Sequence, residues 1–281
     1  MEGTTWSRLP KRALLYGTLS IISLIMIFPF IWMILSALKT GDEIFAVPLT
    51  WFPESPQWQN FVEALEMAPF GLYIWNSIFT AVVIVLFQVV LSCMLAYALT
   101  QLKFWGQHLL FMAILASYML PAAATYVPSY VILARLGLLD TLSGIIVSNI
   151  ASVFCIFMIR QAFLQVPREM IEAARADGAG DWQILWKIMF PMAKSSIFTV
   201  ALISFVQMYN NYLWPSLIVS SQEKYLITVG LRQFFTAQGT FASQWPLIMA
   251  ANVFAVAPLI ILFIVLQKWF VKGISDNGVK G

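Results

Sequence analysis

Charge is what this sequence has least of. Only 10% of its 281 residues are Asp, Glu, Lys or Arg, against 60% hydrophobic, whereas soluble domains carry about a quarter charged. That shortage excludes an ordinary soluble globular protein. Histidine occurs once, at His108, and cysteine twice, at Cys93 and Cys155. Both cysteines sit inside apolar runs, without metal-like or redox-like spacing, and read as small apolar fillers. His108 reads as an interfacial polar residue rather than a ligand. No nucleophile–base pair is evident, and the basic residues form no continuous stripe of the kind nucleic acid requires.

What is present in quantity is long apolar sequence. A bilayer core of about 30 Å needs about 20 apolar residues in a helix. Six stretches reach that length without a charge near their centres: Ala13–Leu38, Ile74–Leu102, Leu109–Leu133, Leu142–Phe163, Ile197–Val219 and Leu247–Trp269. The first is too long for a secretory signal and has no small-residue cleavage site before Lys39, so it reads as a retained helix. With a cytoplasmic N-terminus, twelve Lys and Arg fall in inner segments, and only four, Lys39, Arg135, Lys224 and Arg232, in outer ones. Positive charge favours the inside, so both termini are expected in the cytoplasm. Pro29, Pro121, Pro128, Pro215 and Pro258 lie within the spans. Each removes a backbone donor and predicts a kink or break there.

Two further absences bear on energy supply. Ion-coupled carriers place ionisable groups within their spans, and no span here holds an Asp or Glu. The chain also lacks G-x-x-x-x-G-K-[ST], the loop that cradles nucleotide phosphates. Energy for transport is therefore expected from another protein.

The inner segment between the fourth and fifth spans reads as two short helices. Pro167 suits a first helical position and Glu169 a first turn. Gly178 supplies a left-handed stop, Asp181 is placed to cap the second helix, and Pro191 discourages its continuation. Trp182, Leu185, Trp186 and Met189 form an i, i+3, i+4, i+7 stripe that predicts packing on the membrane domain. Ala173, Ala174 and Ala176 permit close approach of another backbone.

Glu172-Ala173-Ala174, three residues, Gly178 preceded by Asp177, nine residues, then Ile188-x-x-Pro191 resembles the EAA loop of ABC importer permeases. Tyr209-Asn210-Asn211-Tyr212-Leu213-Trp214-Pro215 resembles the W-N-x-[YF]-L-W-P signature of the maltose-type branch, with Tyr209 in place of Trp. The tail from Gln267, closing on Gly278-Val279-Lys280-Gly281, is similar to the end of that branch.

The resemblance implies an all-α polytopic protein with six transmembrane helices, of the type I ABC importer permease fold. Residues 1–70 would hold the first helix and outer loop, 71–269 the transmembrane core with a coupling loop at 166–193, and 270–281 a cytoplasmic tail. It implies that Glu172, Ala173, Ala174, Asp177, Gly178, Ile188 and Pro191 couple to an ATPase, and that the tail turns toward it. Implied partners are a second permease subunit, two ATP-binding subunits carrying ATP and Mg, and an extracytoplasmic solute-binding protein, in a prokaryotic inner membrane. No cofactor or metal is expected on this chain itself.

Amide and aromatic groups suit sugar hydroxyls and C–H faces. Gln207, Tyr209, Asn210, Asn211, Tyr212, Trp214 and Asn252 are therefore candidates for the translocation path, although packing explains each singly as well. Ser148, Asn149 and Ser152 are further polar positions in the fourth span. The outer loop holding Gln238, Gly239 and Thr240 is implied to approach the binding protein. The expected function is carbohydrate import. The alternatives are a non-sugar ABC importer and an ion-coupled carrier.

Overall fold

The computed structural model describes residues 8–237 and 244–278, with side chains for all of these except 8–13, 122, 237 and 268–278. Every regular element among the described residues is a helix. In chain order they begin with α1 (Arg8–Ala37), α2 (Gly41–Ile44), α3 (Gln59–Met67) and α4 (Phe70–Gln101). Next come α5 (Gln107–Tyr118), α6 (Ala122–Arg135), α7 (Leu142–Val147), α8 (Val153–Leu164) and α9 (Arg168–Ala176). A compound helix follows, of α10 (Asp181–Ile184), a π turn over Leu185–Met189 and α11 (Phe190–Met192). The last are α12 (Lys194–Tyr209), α13 (Leu213–Ile218), α14 (Ile227–Ala237) and α15 (Trp245–Gly278).

Three apolar runs form unbroken helices of 30, 32 and 34 residues, α1, α4 and α15. Each exceeds what a bilayer core requires. Helix α15 continues to Gly278, so most of the expected separate tail prolongs the helix of the sixth apolar run.

The other three runs depart from the expectation of single spans. The third breaks at Met119–Pro121, where α5 ends at its C-cap Met119 and Pro121, which disfavours a helical residue before it, is the N-cap of α6. The fourth breaks over Ser148–Ser152. Thr141 caps α7 by accepting from the Gly144 N–H, and Ser152 caps α8 by accepting from the Cys155 N–H. The fifth breaks at Asn210–Tyr212, between α12 and α13.

Broken backbone at membrane depth is tolerated where protein groups or a water-lined cavity take up the freed polar groups, and side chains do so at the fourth and fifth breaks. Gln88 of α4 donates Nε2–H to the Asn149 carbonyl at 2.7 Å. Trp214 donates Nε1–H to Ser148 Oγ at 2.8 Å, tying the fourth-span break to the fifth. Cys155 Sγ lies 3.0 Å from Ser204 Oγ and donates to Gln88 Oε1 at 3.7 Å. Cys155 is therefore part of a buried polar junction between α4, α8 and α12 rather than apolar filler. Cys93 is fully buried in an apolar cluster.

The chain divides into two compact units, residues 1–69 with 233–256, and residues 70–232 with 257–281. In the first, Ala37, Ala64 and Ala250 meet without exposure, flanked by Phe61 and Met249. Lys39 is fully buried there. Its ammonium donates to the Thr50 carbonyl and sits 5.1 Å from the Trp32 ring centroid, so a carbonyl and a ring face hold the cation. In the second unit, α4, α8 and α12 pack through small and branched residues, among them Cys93, Ala96, Ile159, Ile197 and Val200. Small side chains let membrane helices approach closely.

Candidate functional site

The segment between the fourth and fifth apolar runs folds as the helix-turn-helix its sequence predicts, with changes in how it is fastened. Pro167 is the N-cap of α9 rather than its first residue, and Glu169 lies in the first turn with Arg175 in the last. Both charges complement the helix dipole. Gly178 has φ +82°. The Gly178 N–H donates to the Arg175 carbonyl at 3.0 Å and the Ala179 N–H to the Ala174 carbonyl at 2.9 Å, closing the helix through a left-handed residue.

Three expectations about the second helix are corrected. The N-cap is Gly180, and no side chain caps. The Asp181 carboxylate is engaged elsewhere, accepting from Tyr97 Oη at 2.6 Å and lying 3.7 Å from the Arg175 guanidinium. Pro191 does not stop the helix, which runs on to Met192 and bends at Ala193. The π turn over Leu185–Met189 widens the backbone just before Pro191, where an α turn would press the ring on the preceding carbonyls. The wider turn also shifts the apolar stripe. Ile184, Leu185 and Met189 are buried and Trp186 partly so, but Trp182 is 63% exposed.

Below this segment lies a continuous core. Ile171 and Ala174 of α9 and Ile184, Leu185 and Met189 pack with Ala96 and Tyr97 of α4 and Ile159 and Phe163 of α8. Ala174 thus faces inward, while Glu172, Ala173, Asp177 and Gly178 are exposed and Ile188 is half-buried. Pro191 is exposed. The pair Arg175–Asp181 is half-exposed and worth at most about 1 kcal/mol. The seating of α9 is therefore chiefly apolar.

The candidate path residues are not brought together. Tyr209 is buried and stacks on Phe205 at 6.1 Å. Trp214 is buried, stacked on Tyr126 at 5.3 Å. Both rings are taken up by the chain's own packing. Asn210 is exposed and bonds back to the Val206 carbonyl at 2.9 Å, and Asn252 is half-buried and bonds the Ile248 carbonyl at 2.8 Å. Gln207 and Tyr212 are exposed, and Asn211 is half-buried. Gln207, Asn210 and Tyr212 are thus the fifth-span candidates that the chain leaves open, and Asn252 belongs to the other compact unit.

Gln238, Gly239 and Thr240 lie outside the described residues, as do Val279, Lys280 and Gly281, while Gly278 ends α15. The part of that loop that precedes α14 is anchored on α4. Asn76 donates to the Glu223 and Tyr225 carbonyls, and Ser77 Oγ accepts from the Ile227 N–H at 2.7 Å. The residues the sequence reading missed are Gln88, Tyr97 and Thr228. Two of them are polar side chains in apolar surroundings, which is a readable signal, while nothing local marks Tyr97.

The family model of binding-protein-dependent transport system inner membrane components matches residues 88–276. The sn-glycerol-3-phosphate transport system permease protein UgpE of Yersinia enterocolitica is 32% identical over 260 residues, 90% of this chain and 92% of that one. The arabinooligosaccharides transport system permease protein AraQ of Halalkalibacterium halodurans is 30% identical over 265 residues, 92% of this chain and 93% of that one. A chain in the crystal structure of a bacterial ABC transporter involved in the import of the acidic polysaccharide alginate is 25% identical, with a TM-score of 0.81, covering 96% of this chain and 100% of that one. The protein is therefore a multi-pass transport subunit of a prokaryotic inner membrane, and it belongs to the family of binding-protein-dependent transport system inner membrane components.

Proposed function

We propose that this chain is one permease subunit of an ABC importer carrying an oligosaccharide or related polyol, driven by ATP hydrolysed on partner chains. The observation that carries the reading is the seating of α9. Its outer face presents Glu172, Ala173 and Asp177, while its inner face shares a core with α4 and α8. Force applied to α9 is thus passed to two membrane helices through close-packed side chains. The relatives' names, for sn-glycerol-3-phosphate, arabinooligosaccharides and alginate, support a polyhydroxy solute.

In this reading α9 docks on an ATP-binding subunit, with Glu172 as the polar contact, Ala173 as the close-approach surface and Gly178 as the turn. Asp177, Ile188 and Pro191 complete the loop. Ala174 serves from inside, by packing. Two ATP-binding subunits hold ATP and Mg, a second permease completes the pathway, and an extracytoplasmic binding protein delivers solute. Both termini face the cytoplasm, on the balance of Lys and Arg. Closure of the ATPases moves α9, and α4 and α8 follow, so the cavity alternates between the two sides. Gln207, Asn210 and Tyr212 offer hydrogen bonds and a ring to the passing solute.

The test is reconstitution of this chain with its ATP-binding and permease partners in proteoliposomes. ATP-dependent uptake is expected, together with cross-linking of a Glu172→Cys variant to the ATP-binding subunit. Uptake that persists without ATP and collapses with an ion gradient would replace this reading with an ion-coupled carrier.

A further inference from the structure

A cleft of about 360 Å³ opens beside α9, between the inner ends of α4 and α8 and the start of α5. Its floor is apolar, with Phe163, Val166 and Ile171. Its rim carries three cations, Lys103, Arg168 and Arg175, against one carboxylate, Glu172. Lys103 and Arg168 make no ion pair among the described residues, and Arg175 reaches Asp181 only at 3.7 Å. Lys103 and Arg168 are thus the two cations there that no ion pair claims, and an anion seated between them is attracted by both.

A second observation lies one helical turn deeper. Gln107 and Leu164 line the cleft. Four residues along the same faces of α5 and α8 stand Phe111 and Arg160. The Arg160 guanidinium lies 4.0 Å from the Phe111 ring centroid, and its Nε is buried without a hydrogen-bond partner. Along the chain from Lys103 and Gln107, which line the cleft, Trp105 is 97% and Leu109 70% exposed, an apolar collar next to Lys103 in sequence. Cations flanked by exposed Trp and Leu at a helix end belong to the headgroup level of a bilayer.

We propose that this cleft binds the phosphate of an anionic phospholipid of the inner leaflet. Lys103 and Arg168 meet the phosphate, and the acyl chains lie along the collar of Trp105 and Leu109. The lipid would then touch α9 itself and stiffen the segment proposed to couple. The proposal rests on the inner-face placement of α9 in the reading above.

The experiment is native mass spectrometry of the assembled, delipidated importer titrated with dihexanoyl phosphatidylglycerol, dihexanoyl phosphatidylcholine or inorganic phosphate. Wild type should bind phosphatidylglycerol and not phosphatidylcholine, and the pair Lys103→Gln, Arg168→Gln should bind about thirty-fold more weakly. Lys103→Arg with Arg168→Lys should restore binding, which separates charge from shape, and Lys224→Gln should change nothing. Displacement of phosphatidylglycerol by equimolar inorganic phosphate would keep the site and make soluble phosphate its ligand. Equal binding of both lipids, or by the Gln pair and wild type, overturns the proposal. The readout is bound lipid rather than uptake, so an importer that transports but holds no anionic lipid sinks this inference and leaves the permease reading standing.

Discussion

Thr228 donates its hydroxyl proton to the carbonyl of Asn211 at 2.8 Å. That carbonyl lies four residues before Pro215, which has no N–H to offer it. A side chain from the first turn of α14 thus supplies the bond that proline removes. In the fourth break, where no proline stands, Gln88 likewise donates to the Asn149 carbonyl. At these two breaks a side chain from another element meets a freed carbonyl, which lets the helix be interrupted there.

Replacing Thr228 with Val keeps the shape and deletes the donor. The Asn211 carbonyl is then left unsatisfied in a half-buried setting, at a cost of about 1–3 kcal/mol. The detergent-solubilised protein should unfold at a lower temperature, and Thr228→Ser should return it to near the wild-type value. Equal midpoints for the Val and wild-type proteins would show that the Asn211 carbonyl finds another donor.

Much of this architecture was readable in the residues, and what was not has a common cause. Runs such as Ile74–Leu102 announce themselves because transfer to lipid depends on composition alone. Gly178 was readable because only the local backbone decides a left-handed stop. The break at Ser148–Ser152 was not, since no proline marks it and its Asn149 carbonyl is met by Gln88, distant in sequence. Pro215 marked a break in the fifth run, but the bond that Thr228 makes there is equally distant. Asp181 was misassigned for the same reason, as Tyr97 claims its carboxylate. Tyr209 and Trp214 have the chemistry to face a sugar, yet their burial is set by Phe205 and Tyr126. Local signals carried the helix-turn-helix of residues 168–192 well, and they did not foretell the burial of Tyr209 and Trp214.

Gly178 permits a clean separation of strain from clash. A Cβ there would meet nothing within 4 Å, while φ is +82°. Gly178→Val therefore pays only for the left-handed backbone, about 1–2 kcal/mol. That cost falls on the turn joining α9 to the second helix. Uptake should fall while ATP hydrolysis by the reconstituted importer continues, and Gly178→Asn, which tolerates this backbone, should retain most of both. The ratio of solute carried to ATP hydrolysed is the measurement, and an unchanged ratio in the Val variant would remove Gly178 from the coupling device.

Gly230 shows the opposite case. Its φ is ordinary, but a Cβ would lie 2.2 Å from Tyr73 Cδ2, inside any tolerable contact. Gly230→Ala should force the start of α14 off the Tyr73 ring, with an overpacking cost of about 1–3 kcal/mol. Adding Tyr73→Ala makes room, so the double variant should be more stable than the sum of the two single changes. Thermal midpoints of the four proteins measure that coupling, and strict additivity would show that the two residues do not meet.

Asp140 ties the loop before α7 to the end of the fifth span, and it does so in a pH-dependent way. Its N–H donates to the Ile218 carbonyl at 2.8 Å. Its carboxylate accepts from the Ser221 hydroxyl and from the Ser220 and Ser221 N–H groups, both at 2.9 Å. The Ser221 hydroxyl above all, then the two backbone donors, lower its pKa from the ordinary 3.8 to about 2. The folded value lies below the unfolded one, so the stabilisation is complete above about pH 4. Between pH 4 and pH 2 the unfolded chain takes up the proton first and the stabilisation shrinks, until below pH 2 it is gone. Asp140→Asn tolerates the residue's positive φ of 53° but carries no charge to lose. The gap in thermal midpoint between wild type and Asp140→Asn should therefore be constant from pH 7 to pH 5 and narrow steadily from pH 4 downward. A gap that stays constant to pH 2.5 would mean that the three donors do not hold the ionised carboxylate.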